Sequence, residues 1–198
     1  MIKKIVLASN NPGKVREIGQ LLAGLDIEVV PQSDFNIPEI EETGLTFVEN
    51  AILKARNAAR LSNLPALADD SGIEVDAFKG APGIYSARFA GVGASDAQNL
   101  EKLLTELQSL DSPVRTARFQ CLMVLMTHAG DPTPLICQGT WEGEIIDTPK
   151  GDNGFGYDPI FYVANEKCTS AQLPAEKKNA LSHRGQALSC LLNKLSKL

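Results

Sequence analysis

The first twenty-two residues commit the chain to a fold class. Ile5-Val6-Leu7-Ala8 is an apolar run of strand length, and Ser9-Asn10-Asn11-Pro12-Gly13-Lys14 is a short polar turn. Val15, Ile18, Leu21 and Leu22 then recur at helical spacing. A buried strand that feeds a helix through so short a turn needs a sheet with helices packed on it. The reading is a strand over 2–8, a helix over 13–23 and a second short strand over 26–30.

The same turn has half the form of a phosphate-binding loop. The pattern G-x-x-x-x-G-K-[ST] ends on a hydroxyl for magnesium. Here Ala8 stands at the first glycine and Val15 follows Lys14. A strand–turn–helix junction still offers backbone N–H groups and the positive end of a helix dipole to an anion. Ser9 and Asn11 add side-chain donors, Lys14 adds a full charge, and Asn10 tolerates a positive φ. An N-capped helix start with a surface lysine accounts for the loop as well.

Further along, Thr46-Phe-Val-Glu49 has capping-box form and opens a helix with Phe47, Val48, Ala51, Ile52, Ala55, Ala58 and Ala59 on one face. Pro65 ends that region. Residues 66–75 suggest two extended pieces meeting at Asp69 to Gly72, and a Gly/Pro-rich loop follows at 80–83. Ser95-Asp-Ala-Gln98 forms another capping box, ahead of Leu100, Leu103, Leu104 and Leu107. Strands are expected over 115–127, 135–137 and 143–147, turning at Asp131-Pro132, and a last helix over 184–197. With no repeat or linker, the 198 residues read as one α/β domain with a mixed sheet.

Charge and cysteine usage exclude several classes. A net charge of −5 does not suit a protein that coats nucleic acid, though a few lysines and a metal could hold a small polyanion. The four cysteines, at 121, 137, 168 and 190, show no C-x-x-C spacing, and two histidines are too few for an ordinary zinc site. Reduced thiols in a cytoplasm are the simplest reading. No run approaches the ~18 apolar residues of a membrane span, and the N-terminal apolar run is too short for a signal peptide.

Four clusters are too polar and glycine-rich for plain connections. The opening loop is one. The second is Asp69-Asp70-Ser71-Gly72, where two acids directly after an apolar strand need water, a cation or donors. Carboxylates there suit magnesium, which takes one or two acids plus substrate phosphates, but an acidic turn uses the same residue types. The third is Glu41-Glu42-Thr43-Gly44, ahead of the helix that carries Lys54 about two turns in. The fourth joins Gly154-Phe155-Gly156-Tyr157-Asp158 to Lys178, His183 and Arg184. Phe155 between glycines reads as an exposed aromatic on a supple loop, fit to stack on a planar base, and the basic side chains are donors.

Taken together, these segments resemble the inosine/xanthosine triphosphate pyrophosphatase family, which removes deaminated purine nucleotides. The matching stretches are SNNPGK at 9–14, EETGLTFVENAILKA at 41–55, ADDSGIEVDAFKGAPGIYSAR at 68–88, GFGYDP at 154–159 and SHRGQAL at 182–188. The family often opens with Thr-Gly-Asn where this chain has Ser9-Asn10-Asn11. The resemblance implies an elongated mixed sheet flanked by helices, in two lobes with the active site in the cleft between them, and a homodimer. It implies that Ser9, Asn10, Asn11, Pro12, Gly13 and Lys14 hold the triphosphate, and that Glu41 and Asp70 bind Mg2+. Asp70, with Asp69 beside it, would accept the proton from water, and Lys54 would offset phosphoryl charge. Ser71 would touch substrate, while Phe155, Gly156, Tyr157, Asp158, Lys178, His183 and Arg184 would surround base and sugar.

The activity so implied is attack of water on the α-phosphorus of ITP, dITP or XTP, giving monophosphate and pyrophosphate. Donor-only side chains around a purine favour a 6-oxo group over the amino group of adenine. A pyrophosphatase for pyrimidine or other modified triphosphates shares the same chemistry. A non-catalytic nucleotide-binding module is the reading from another class.

Overall fold

The computed structural model describes residues 2–22 and 27–196. Its sheet has seven strands in the order β2-β1-β3-β4-β5-β6-β7. They are β1 (Lys4–Leu7), β2 (Glu28–Pro31), β3 (Ala66–Val75), β4 (Thr116–Met126), β5 (Leu135–Ile145), β6 (Phe161–Val163) and β7 (Cys168–Thr169). The helices are α1 (Pro12–Leu22), α2 (Phe47–Ser62), α3 (Asp96–Gln108), α4 (Ala175–Leu181) and α5 (His183–Leu195). β1 pairs parallel with β2 and β3, and β6 pairs antiparallel with β5 and β7, so the sheet is mixed as expected. Ala23, Asp26 and Lys197, at the ends of three expected elements, lie outside the described residues.

The chain folds into two units, each with its own core. Unit 1 takes residues 1–70, 121–139 and 183–198; unit 2 takes 71–120 and 140–182. Unit 1 has two apolar clusters. In one, Ile5, Leu7, Ile18, Leu67, Met123 and Leu188 bring α1 and α5 onto the sheet. In the other, the alanine face of α2 meets Val6, Ala68, Val124 and Met126. The small side chains of that face, Ala51, Ala55 and Ala58, are fully buried, which lets the helix lie close to the strands. Unit 2 is built around Phe161, whose ring lies 4.6 Å from Phe119 and 5.3 Å from Trp141 between centroids, with Leu103 and Leu107 of α3 in the same cluster.

Local signals set the helix starts. Thr46 accepts the Glu49 N–H, and Asn63, left-handed at φ 56°, closes α2 two residues before Pro65. At α3 both halves of the capping box form: Ser95 accepts the Gln98 N–H, and Gln98 accepts the Ser95 N–H.

Two expected breaks do not occur. Residues 66–75 form one strand rather than two pieces, and 135–145 form one strand rather than two. In β5 the glycines mark close approaches instead. A Cβ at Gly139 would overlap the His183 carbonyl oxygen and lie 2.7 Å from the Ala187 nitrogen, so the first turn of α5 rests on bare backbone. Replacing Gly139 by alanine is therefore predicted to destabilise the fold by about 1–3 kcal/mol through overpacking. A urea midpoint equal to wild type would refute that contact.

Candidate functional site

Asp69 and Asp70 lie in β3 and are 1% and 6% exposed. Adjacent residues of a strand point to opposite faces, so the two acids meet different partners. Asp69 is met by Lys14 of α1, with Nζ 3.3 Å from Oδ1, and by Arg184 of α5, with Nε and Nη2 donating to Oδ2 at 3.4 and 3.3 Å. Arg184 is 2% exposed, and its Nη1 makes a short contact with Glu17 of α1. Asp70 is met by Lys54 of α2, whose Nζ donates to Oδ1 at 2.7 Å and to Glu42 Oε1 at 2.9 Å. Helices α1, α2 and α5 thus each deliver one cation to two buried acids.

Electrostatics separates the acids. Burial alone would raise the Asp69 carboxyl, but Lys14, Arg184 and Lys54 overcome it and hold it well below the usual carboxylate range. At Asp70 burial prevails: its carboxyl is raised, with Lys54 and Lys14 pulling it partly back. Burial would lower the Lys54 ammonium, yet Asp70, Asp69 and Glu42 outweigh it, and it stays charged above the ordinary lysine value. Cys121 Sγ lies 3.9 Å from Asp69 Oδ2, and its thiol is pushed up to about 12, first by burial and then by that carboxylate.

Asp69 has a cation at each carboxylate oxygen, Lys14 at Oδ1 and Arg184 at Oδ2, but Lys54 meets Asp70 at Oδ1 alone. Asp70 Oδ2 is buried and has no hydrogen-bond partner among the described residues. An orphaned carboxylate oxygen is costly unless a cation or donor arrives from outside. Among the described residues, no group of three or more His, Cys, Asp or Glu side chains is arranged to hold a metal ion. The buried Asp70 Oδ2 is the kind of atom a magnesium ion would fit, since that ion takes one or two carboxylates and completes its shell with water and phosphate oxygens. Glu41, the other expected ligand, is exposed, while its neighbour Glu42 turns to Lys54.

The opening loop is built more firmly than its sequence suggests. Asn11 Oδ1 accepts the N–H groups of Gly13 and Lys14, so the side chain caps α1 with two of the donors expected to face an anion. Ser9 Oγ accepts the Asn11 N–H. Asn10 donates to Glu39 and accepts from Gln32, without needing a positive φ. Of this loop, Lys14 is the residue whose side chain reaches the acids of β3.

Unit 2 holds the other set of candidate residues. Asp158 is 3% exposed; its Oδ2 accepts from Lys178 Nζ at 2.7 Å and from the Phe155 N–H at 2.8 Å, and Ser170 Oγ makes a short hydrogen bond to Oδ1. Gly154 is required here: at φ 81°, a Cβ would overlap the Asp158 carboxylate and lie 3.0 Å from Lys178 Nζ. The Gly156 N–H donates to Asp96 Oδ2 at 2.8 Å, and the Tyr157 hydroxyl donates to the Ser86 carbonyl at 2.8 Å. Phe155 is half-buried rather than exposed, because these bonds draw its backbone inward, and Lys178 Nζ lies 5.4 Å from its ring centroid. Nor is the loop supple, since two carboxylates pin it.

The expected residues therefore fall into two sets. Ser9 to Lys14, Glu41, Lys54, Asp69, Asp70, His183 and Arg184 belong to unit 1; Ser71, Phe155 to Asp158 and Lys178 belong to unit 2. His183 is buried at the start of α5, and Ser71 is half-buried. Glu42 comes from the expected third cluster, in contact with Lys54 rather than named as a ligand, and Glu17 and Asp96 lie outside the expected set. Glu42 and Glu17 are acids that hold Lys54 and Arg184, and Asp96 reads in the sequence only as part of a helix cap.

Comparison with known proteins agrees with this fold. The family model described as Ham1 family matches residues 5–194, and the chain belongs to that family. A Vibrio parahaemolyticus protein named dITP/XTP pyrophosphatase is 58% identical over 195 residues, covering 98% of both chains. A protein of the same name from Thioalkalivibrio sulfidiphilus is 58% identical over 192 residues, covering 97% of this chain and 98% of its own. The structure of a HAM1 protein from Coxiella burnetii superposes with a TM-score of 0.92 at 52% identity, covering 100% of both chains.

The pairing of Asp69 carries a prediction. Its folded pKa is depressed, so its stabilisation is present above the unfolded value of about 3.9 and is lost as pH falls through the folded value. Asp69→Asn removes the acid that Lys14 meets and leaves Arg184 with Glu17 alone, and is expected to cost about 3–5 kcal/mol at neutral pH. The gap between mutant and wild-type urea midpoints should narrow as pH falls below about 4. A gap that stays constant down to acid pH would contradict the assignment.

Proposed function

We propose that the protein is a magnesium-dependent nucleoside-triphosphate pyrophosphohydrolase. It cleaves ITP, dITP and XTP to the monophosphate and pyrophosphate, which keeps deaminated purines out of nucleic acid. The single observation that carries the reading is the division between two neighbouring acids. Asp69 meets a cation at each carboxylate oxygen, Lys14 at Oδ1 and Arg184 at Oδ2, whereas Asp70 is ion-paired only through Oδ1 and has a raised pKa. The names of the relatives supply the substrate class.

Asp70 is the proton acceptor in this reading. A raised carboxyl pKa brings a base closer to the operating pH, where it takes a proton more effectively. As water oxygen bonds to the α-phosphorus, the bond to the bridging oxygen of pyrophosphate breaks and the water proton passes to Asp70. Lys54 fixes Asp70 through Oδ1, so its other oxygen faces the incoming magnesium and water. Lys14 and Lys54 oppose the charge of the phosphate oxygens. Asp70 and Glu41 would hold magnesium, which supplies charge neutralisation and a more acidic water when bound. Arg184, committed to Asp69 and Glu17, keeps the neighbouring acid ionised and in place.

The unit 2 set serves the base and sugar. Phe155 offers a ring, and Asp158 and Lys178 offer an acceptor and a donor held by their own ion pair. Residues 1–198 act as one functional domain, consistent with a family match that runs unbroken from 5 to 194. Among the described residues no helix is long and apolar enough to cross a membrane. A cytoplasmic homodimer completes the reading, supported by the family resemblance.

A nucleotide panel with magnesium is expected to release pyrophosphate from ITP, dITP and XTP at least about 10-fold faster than from ATP, GTP or pyrimidine triphosphates. Chelation should abolish the release. Asp70→Asn should keep the fold and lose about 10²–10⁴-fold in kcat. Orthophosphate as the product, or full activity in that variant, would refute the proposal.

Asp96 is exposed, so its replacement leaves the core intact while freeing the Gly156 N–H. Asp96→Ala is expected to raise KM for ITP about 10-fold with kcat nearly unchanged. Asp96→Asn, which keeps an acceptor but loses the charge at the start of α3, should recover most of that. KM values equal to wild type in both variants would refute that role for Asp96.

A further inference from the structure

Two thiols of unit 1 meet on tightly packed elements. Cys137 of β5 is buried and Cys190 of α5 is half-buried, and their Sγ atoms are 2.8 Å apart. Their surroundings hold them there. The side of β5 two residues on, at Gly139, presses directly on the backbone of α5. One turn beyond Cys190, Lys194 Nζ donates to the Ile136 carbonyl at 2.7 Å, tying the same helix to the same strand on the other side of the pair. Both cysteines pack in one apolar cluster with Leu188 and Leu191. Two sulfurs fixed this close, at positions 53 apart in sequence, need little more than loss of their hydrogens to join.

We propose that Cys137 and Cys190 form a reversible dithiol–disulfide pair, oxidised by a peroxide and reduced by a small dithiol. Cys190 is the entry point because it is the more exposed of the two. Its thiolate attacks one peroxide oxygen, the O–O bond breaks, and Cys190 becomes a sulfenic acid while the other oxygen leaves as water after taking a proton. Cys137 sulfur then attacks Cys190 sulfur; the S–S bond forms, the S–O bond breaks, and the departing hydroxide takes the Cys137 proton. The pair loses two electrons and two protons, and one peroxide becomes two waters. A dithiol reverses the step by exchange through a mixed disulfide.

Burial pushes the Cys137 thiol up to about 12, which fits the resolving rather than the attacking role. The other two cysteines are placed differently. Cys121 is fully buried beside Asp69, and Cys168 sits in β7 of unit 2. The cross-link would close a loop that includes residues 140–182 of unit 2 and would fasten α5, whose first turn carries Arg184. It is therefore a stabilising clamp on an element that supports Asp69, and it leaves Asp70 and Lys54 untouched.

The test treats the full chain with hydrogen peroxide near stoichiometry, alkylates remaining thiols under denaturing conditions, and reads intact mass and a non-reducing peptide map. The expected protein is lighter by two hydrogens before alkylation, with Cys137 and Cys190 peptides joined and Cys121 and Cys168 alkylated. Dithiothreitol should reverse the change. The oxidised protein should melt several degrees higher, and Cys190→Ser should show neither the mass change nor the shift. Full alkylation of Cys190, over-oxidation of Cys190 with Cys137 still free, or a link to Cys168 would each overturn the proposal. The readout is independent of pyrophosphohydrolase activity, so it stands or falls separately from that reading.

Discussion

An ionised carboxylate inside a sheet is tolerable only if cations follow it there, and unit 1 is organised around that demand. β3 carries two such acids side by side, and the three helices of the unit each send a basic residue to them. The cations in turn need balancing, which is why Glu17 meets Arg184 and Glu42 meets Lys54. Desolvating such a network costs more than an apolar core would, and breaking one pair strands its partner. Stability alone does not explain keeping it. The proposed function would, because fixed charged groups do not have to reorganise when a polyanion and its metal arrive.

Unit 2 uses carboxylates for a different purpose. Asp158 and Asp96 accept consecutive backbone N–H groups of one glycine-rich loop, and Asp158 also holds Lys178. Hydrogen bonds to charged acceptors are stronger than neutral ones, so a loop with three left-handed glycines, at 151, 154 and 156, is nonetheless given one shape. The half-buried Phe155 ring is positioned by its backbone rather than by packing alone.

What could be read in the sequence follows the range of each interaction. The cap at Thr46, the capping box at Ser95 and the alanine face of α2 depend on residues three or four apart, and they appear where expected. Asp69-Asp70-Ser71-Gly72 looks like a turn because its residue types favour turns. It is strand because Arg184, 115 residues away, and Lys14 and Lys54 from other helices neutralise it. Gly139 and Gly143 look like breaks in a strand for the same local reason, but each makes room for a neighbour, the start of α5 and the Phe161 ring. The short strands β6 and β7 and the seven-residue α4 carry too little periodicity to stand out. The motifs placed Asp69, Asp70, Lys54 and Lys14 in the candidate site. Glu17 and Asp96 were hidden, since an acid on a helix has many ordinary explanations.

The account depends on two neighbouring aspartates having opposite environments. Carbon-13 NMR titration of aspartate-labelled protein follows each carboxyl separately, with Asp69→Asn and Asp70→Asn assigning the signals. The account predicts that Asp70 titrates above the ordinary carboxylate range while Asp69 remains ionised to the lowest pH at which the protein is folded. Asp69 taking up its proton before Asp70 as pH falls would contradict it.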